Sequence, residues 1–195
     1  MARILSAIDT ASETFRANSA HNKGLAEDLR RRQHAVRRER PQRDFDRLAR
    51  QNKMFPRDRL EALLDPGTPF LEFSTLAANM AYDGEAPGAG QISGIGIVAG
   101  QEVVVHADDS SIKGGAWYPL SVKKIVRALD IAIENRLPMI HLCDSAGGYL
   151  QLQRELFADR YYAGRIFRNQ SILSKMGVPQ LAVVLGHCTA GGAYI

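Results

Sequence analysis

Val178-Pro179-Gln180-Leu181-Ala182-Val183-Val184-Leu185 runs without a break into Gly186-His187-Cys188-Thr189-Ala190-Gly191-Gly192-Ala193-Tyr194-Ile195. An apolar stretch of strand length thus gives way to small residues and glycines. That is the pattern of a strand-to-turn-to-helix junction at which the backbone approaches something closely. N–H groups at such a junction point outward and can hold an oxyanion or a phosphate. The same arrangement occurs upstream: Leu137-Pro138-Met139-Ile140-His141-Leu142-Cys143 reads as a short buried strand, and Asp144-Ser145-Ala146-Gly147-Gly148-Tyr149 follows it. If the two strands are parallel neighbours, both glycine loops open on one edge of a sheet, where ligands of open α/β layers bind. Ordinary tight turns are the alternative, because glycine is common at turns.

Outward from these loops, helical spacing covers 160–176, with Tyr162, Ile166, Phe167, Ile172 and Leu173 apolar, and Gly177-Val178-Pro179 stops it. A second helix is expected from Pro119 to Asn135, burying Val122, Ile125, Val126 and Leu129 and exposing Lys123, Lys124 and Arg127. Ile92 to Val98 and Glu102 to Ala107 read as a hairpin turning at Ala99-Gly100-Gln101. Residues 9–40 predict one or two surface helices, Pro56 to Leu64 a short one, and Gln151 to Asp159 an irregular stretch beside a cleft. The order hairpin, helix, strand, loop, helix, strand, glycine turn suits right-handed crossovers that stack strands into layers.

The chain has 195 residues, of which 45% are hydrophobic and 24% charged, a globular composition. No run approaches the ~20 apolar residues of a membrane span. The amino terminus, Met1 to Asp9, lacks the apolar core of a signal peptide and carries acids that transit peptides avoid, so the reading is of a soluble, intracellular protein. Cys143 and Cys188 both end apolar strands and read as reduced core thiols, and the five histidines show no ligand spacing, so no metal site is expected. Asp108-Asp109-Ser110-Ser111 invites a metal reading, against which stands an ordinary role as strand terminator and cap.

The net charge of +4 comes largely from residues 30–50, which hold nine arginines against Glu39, Asp44 and Asp46. A nucleic-acid arm, a solvated helix and attraction of a phosphate-bearing small ligand are three readings of that cluster. The interleaved acids and the lack of interleaved aromatics favour the solvated helix. Lys113-Gly114-Gly115-Ala116-Trp117-Tyr118-Pro119 places an ammonium and bare amides at a helix start, where a phosphate or carboxylate would fit.

Residues from about 50 to 195 resemble the carboxyltransferase (β) subunit of biotin-dependent acyl-CoA carboxylases, in the methylcrotonyl-CoA and geranyl-CoA branch. The resemblance is carried by Phe55 to Glu72, Lys113 to Pro119, Asn135-Arg136-Leu137-Pro138, Gly164 to Phe167 with Asn169-Gln170, and Cys188 to Tyr194. It implies an α/β, crotonase-like spiral of ββα units, incomplete here. Residues 1–48 would form an arginine-rich helical segment and 49–195 a truncated acyl-CoA-binding domain. The implied activity moves carboxylate from carboxybiotin, carried by a biotin-carboxylase/biotin-carrier α subunit, to an acyl-CoA enolate such as that of 3-methylcrotonyl-CoA, in leucine or isoprenoid catabolism. An acyl-CoA decarboxylase subunit or another crotonase-superfamily enzyme is the alternative.

Carried over by position, the oxyanion donors are expected at Gly147, Gly148, Gly191, Gly192 and Ala193, and coenzyme A contacts at Lys53, Lys113, Gly114 and Gly115. Two fixed N–H donors on an enolate oxygen stabilise it by several kcal/mol, since losing one donor costs ~3 kcal/mol. Free biotin, left when carboxybiotin releases carbon dioxide, would act as the base, so no protein acid or base is required. The family also implies a homo-oligomer of β subunits, no nucleic acid and no membrane, in the cytoplasm of a bacterium or the mitochondrial matrix of a eukaryote. Because family subunits continue into a second, biotin-binding domain, the chain is expected to be a fragment, inactive alone. Two departures stand out. Ala146 occupies the first glycine of the family's Asp-Ser-Gly-Gly-Ala loop, where a left-handed residue would be strained. Ala49 to Lys53 differs from the family's Arg-Gly-Lys.

Overall fold

The computed structural model describes residues 5–195; the reading of the amino terminus rests in part on residues 1–4, which lie outside the described residues. Three helices come first: α1 (Glu13–Arg38), α2 (Gln42–Arg50) and α3 (Pro56–Leu63). The Ser12 hydroxyl accepts the Phe15 amide and so satisfies one orphan donor of α1. No residue of α1 is buried. Its last turns meet the body through Val36, beside Gly88, and Arg37, on Glu72.

The body alternates strands and helices: β1 (Leu71–Glu72), β2 (Gln91–Val98), β3 (Gln101–Asp108), β4 (Ala116–Trp117), α4 (Pro119–Asn135), β5 (Met139–Ser145), β6 (Gly147–Gly148), α5 (Gln153–Leu156), α6 (Ala163–Lys175) and β7 (Gln180–Cys188). A five-stranded sheet has the order β1-β2-β3-β5-β7, and β4 pairs with β6 in a small second sheet. β1, β2 and β3 are antiparallel, whereas β3-β5 and β5-β7 are parallel and are joined through helices, as parallel neighbours need a crossover. The β2-β3 hairpin turns on Ala99 and Gly100, both left-handed at φ 51 and 77, as a two-residue primed turn requires. The Asp65 carboxylate accepts both of their amides, at 2.8 and 2.7 Å.

Helices cover both faces of the sheet. On one, α4 and α6 bury Val122, Ile125, Leu129, Ile166 and Leu173 against Val104 and Met139. On the other, Leu60 of α3 packs on Ile92, Val103, Val105, Ile140 and Leu142. The hairpin, the two crossover helices and the parallel strands fall where the sequence places them. β7 continues to Cys188, and Gln151 to Asp159 includes part of a 3-10 turn and the single turn of α5.

Lys124 is the clear departure. Expected on the exposed side of α4, it is 3% exposed. Its Nζ donates to the carbonyls of Gly88 (3.0 Å) and Gln91 (2.6 Å), which pins the glycine-rich loop onto the helix. Ser121 assists by donating to the Ala89 carbonyl. Burial pulls the ammonium down to about 7, with the nearby Glu72 opposing. A neutral amine still has two N–H donors for the two carbonyls.

Because the folded value of Lys124 lies below its ordinary 10.5, the unfolded chain binds the extra proton between about 7 and that value. Stability contributed by this group therefore rises with pH through that window and is lost on acidification toward 7. Urea midpoints taken across the window should climb, on the order of 1 kcal/mol per pH unit, and Lys124→Met should remove that slope. A wild-type curve flat over the window would contradict the burial argument.

Candidate functional site

β5 and β7 run side by side in parallel, Met139 opposite Gln180 through Cys143 opposite Val184. At Asp144 the register shifts by two residues, which places Ser145 opposite Cys188. Both strands therefore end together. The Ser145 carbonyl accepts the Thr189 amide at 3.1 Å, and a β-carbon added to Gly192 would sit 3.2 Å from that of Ser145. The two glycine corners are in contact.

A third corner joins them. Lys113, Gly114 and Gly115 are successive left-handed residues at φ 47, 67 and 79. A side chain at Gly115 would overlap the Asp144 carbonyl, and the Gly115 carbonyl accepts the Ser145 hydroxyl at 3.1 Å. β4 then pairs with β6, Ala116 opposite Gly147 and Trp117 opposite Gly148. The left-handed residue of the Asp144 loop is Gly147, at φ 83, while exposed Ala146 is not left-handed. The strain expected at Ala146 is absent because the sharp turn falls one residue later.

Amide accounting narrows the donors. Gly147 N–H donates to the Ser145 hydroxyl at 3.0 Å and Gly192 N–H to the Thr189 carbonyl at 3.0 Å. Tyr149 N–H goes to the Trp117 carbonyl at 2.8 Å, and ladder groups alternate, so the Gly148 amide faces away from β4. Gly191 lies in the first turn of the closing 3-10 segment (Ala190–Tyr194), ahead of its first internal bond, where N–H groups have no helical acceptor. A cavity of about 360 Å³ lies between the corners, lined by Trp117, Gly147, Gly148, Leu156, Phe167 and Gly191 among others. It adjoins a more open apolar groove of about 890 Å³ that shares Phe157, Phe167 and Gly191 and reaches Tyr194.

Neither lysine expected to meet coenzyme A lines this cavity. Lys53 Nζ sits 2.7 Å from the Asp144 carboxylate, which Arg59 also reaches at 3.0 Å. Burial alone would raise Asp144, yet its bonds to Lys53 and Arg59 hold it below the ordinary carboxylate value. Exposed Lys113 pairs with Glu85 and lines a cavity of about 480 Å³ with Arg40, Arg43 and Arg47. Much of the arginine cluster is paired within the chain. Arg31 and Arg32 meet Asp28, Arg37 meets Glu72, Arg38 meets Asp58 and Glu61, Arg40 meets Asp109, and Arg47 meets Asp44. Asp109 is thus an ion-pair partner and cap of Ser111, and among the described residues no cluster of three His, Cys, Asp or Glu residues is placed to hold a metal. No helix among the described residues is long and apolar enough to cross a membrane.

This fold, with glycine corners meeting at the ends of two parallel strands, is of the carboxyltransferase/crotonase-like class. The carboxyl transferase domain model matches residues 48–195, and the chain belongs to that family. It is 54% identical over 143 residues to the biotin-dependent 3-methylcrotonyl-coenzyme A carboxylase beta1 subunit of Mycobacterium tuberculosis, covering 73% of this chain and 27% of that protein. The mitochondrial methylcrotonoyl-CoA carboxylase beta chain of Arabidopsis thaliana is 44% identical over 188 residues, covering 96% of this chain and 32% of that one. Among solved structures, the beta subunit of P. aeruginosa geranyl-CoA carboxylase superposes with a TM-score of 0.74 at 37% identity, over 98% of this chain and 36% of that chain. The chain therefore spans about a third of the length of these relatives.

Glycines that touch the network should not tolerate a side chain. A β-carbon at Gly186 would overlap the Asp144 carboxylate and crowd Lys53, whereas nothing lies within 4 Å of one at Gly164. In thermal unfolding Gly186→Ala should cost ~1–3 kcal/mol. Gly164→Ala, inside α6, should be neutral or stabilising by up to ~1 kcal/mol. Equal effects would contradict the packing described.

Proposed function

We propose that the chain is the acyl-CoA half of a carboxyltransferase in a biotin-dependent acyl-CoA carboxylase, acting on a short branched enoyl-CoA of the 3-methylcrotonyl type. The observation that carries the reading is the contact of two glycine corners at one cavity, each with an amide that no internal acceptor claims: Gly148 and Gly191. The thioester oxygen would sit between these amides. As a proton leaves the acyl group, charge builds on that oxygen, and donors fixed in an apolar pocket stabilise it without reorganising. Trp117, Leu156 and Phe167 exclude water and shape the acyl end. Carboxybiotin, brought by a partner α subunit, supplies the activated carboxyl group when bound.

Gly147 and Gly192 shape the turns that aim the two donors, and Ala193 follows in the same 3-10 segment. The basic cavity beside Lys113, with Arg43 and Arg47, suits the phosphates of coenzyme A, and Gly114 and Gly115 give the backbone close approach there. Lys53 acts on the site through Asp144. In the whole protein, β subunits would assemble as a homo-oligomer, in the bacterial cytoplasm or the mitochondrial matrix. Residues 1–48 would precede the acyl-CoA-binding domain as a helical arm.

Calorimetric titration of the chain with 3-methylcrotonyl-CoA and with free coenzyme A tests this. The thioester should bind more tightly, because only it reaches the two amides. Gly191→Val, whose first carbon would make ordinary contact at 3.6 Å with Phe167, should fold but lose that preference as its side chain enters the cavity. Equal affinity for the two ligands in the wild-type chain would sink the reading.

A further inference from the structure

Asp108 ends β3 buried, only 4% exposed to the solvent that a carboxylate normally seeks. Its two oxygens are used separately. Oδ1 accepts the Trp117 indole N–H at 2.8 Å, and Oδ2 accepts the Asp144 backbone N–H at 3.2 Å. Each partner leads to the site. Trp117 lines the cavity, its ring lies 4.0 Å from the positions a β-carbon would take on Gly191 and Gly192, and its carbonyl holds the Tyr149 amide that follows Gly148. Asp144 opens the loop that carries Gly147 and Gly148.

We propose that Asp108 is a positioning residue for the thioester site: through the Trp117 indole on one oxygen and the Asp144 amide on the other, it sets the cavity wall and the spacing of both glycine corners. The inference rests on reading this cavity as the thioester site. A neutral asparagine cannot replace Asp108, because its amide nitrogen would face an N–H. Neither can a ring without an N–H replace Trp117.

Burial, with the Asp144 charge adding to it and the Trp117 and Asp144-amide hydrogen bonds opposing it, raises this carboxyl to about 6. Asp144 is compensated by Lys53 and Arg59, Asp109 by Arg40, and burial keeps the Cys143 and Cys188 thiols above their ordinary range. His106, on the same strand, and His141, on β5, are buried and held neutral, well below the ordinary imidazole value and at about 4 respectively. On β7, His187 has an exposed imidazole.

Trp117 is the only tryptophan in the chain, so its emission reports this contact directly. In the ligand-free chain, the emission should show one transition centred near 6. His187→Gln should keep it and Asp108→Asn should abolish it. A flat wild-type curve, or a transition that survives in Asp108→Asn, overturns the inference. In calorimetry at neutral pH, Asp108→Asn and Trp117→Phe should each weaken 3-methylcrotonyl-CoA by ~10-fold while leaving free coenzyme A unchanged. Loss of both ligands alike, or of neither, also overturns it. A wild-type chain that binds the two ligands equally would instead sink the thioester reading, and the ligand-free titration would still decide the Asp108 contact.

Discussion

Everything in the site depends on two parallel strands ending at the same height. β5 and β7 keep one register from Met139 and Gln180 to Cys143 and Val184; at Asp144 a bulge gives β7 two extra residues, and Ser145 then pairs with Cys188. A slip of one residue would turn every side chain to the opposite face and separate the corners. Parallel strands are joined by crossovers, so the helices α4 and α6 follow from this pairing, and their apolar faces complete the core on that side.

The irregularity at Asp144 is also where the amino-terminal segment is fastened. A carboxylate that is 1% exposed must be paired, since an isolated buried charge costs several kcal/mol. Lys53 and Arg59 supply the pairing, and in doing so they hold the α2-α3 region against the end of β5. The same crowding explains two bare positions. Gly115 and Gly186 both abut Asp144, one at its carbonyl and the other at its carboxylate. A second network, Glu72 with Arg37 and Arg57, ties the last turns of α1 to β1. The arginine cluster thus works largely as internal fastening: its partners Asp28, Asp58, Glu61, Glu72 and Asp109 lie outside residues 30–50, and among the described residues Asp44 is the one interleaved acid that takes an arginine.

Much of this was legible in the residues. Alternating helical and strand periods marked α4, α6, β5 and β7, and Ala99-Gly100 marked the hairpin, because burial and turn geometry act locally. The paired Gly-Gly dipeptides pointed to both corners. What the periodicity could not show was long-range. Lys124 sits where a helix wheel puts it in solvent, and only the loop folded over it, with two carbonyls to satisfy, makes it a core residue. The choice among neighbouring amides was equally hidden, since it depends on Ser145 and Thr189 capturing Gly147 and Gly192. Asp108 looked like a strand terminator because its partners, Trp117 and Asp144, lie far along the chain. Ala146 raised an expectation of strain that Gly147 removes by taking the left-handed conformation itself.

The claim that two corners serve one ligand atom is tested most directly by amide resonances of the nitrogen-labelled chain as 3-methylcrotonyl-CoA is added. The account predicts that Gly148 and Gly191 move together, with a common dissociation constant, and further than Gly147 and Gly192, whose amides are already bonded. Shifts at only one corner, or larger shifts at the bonded pair, would contradict it.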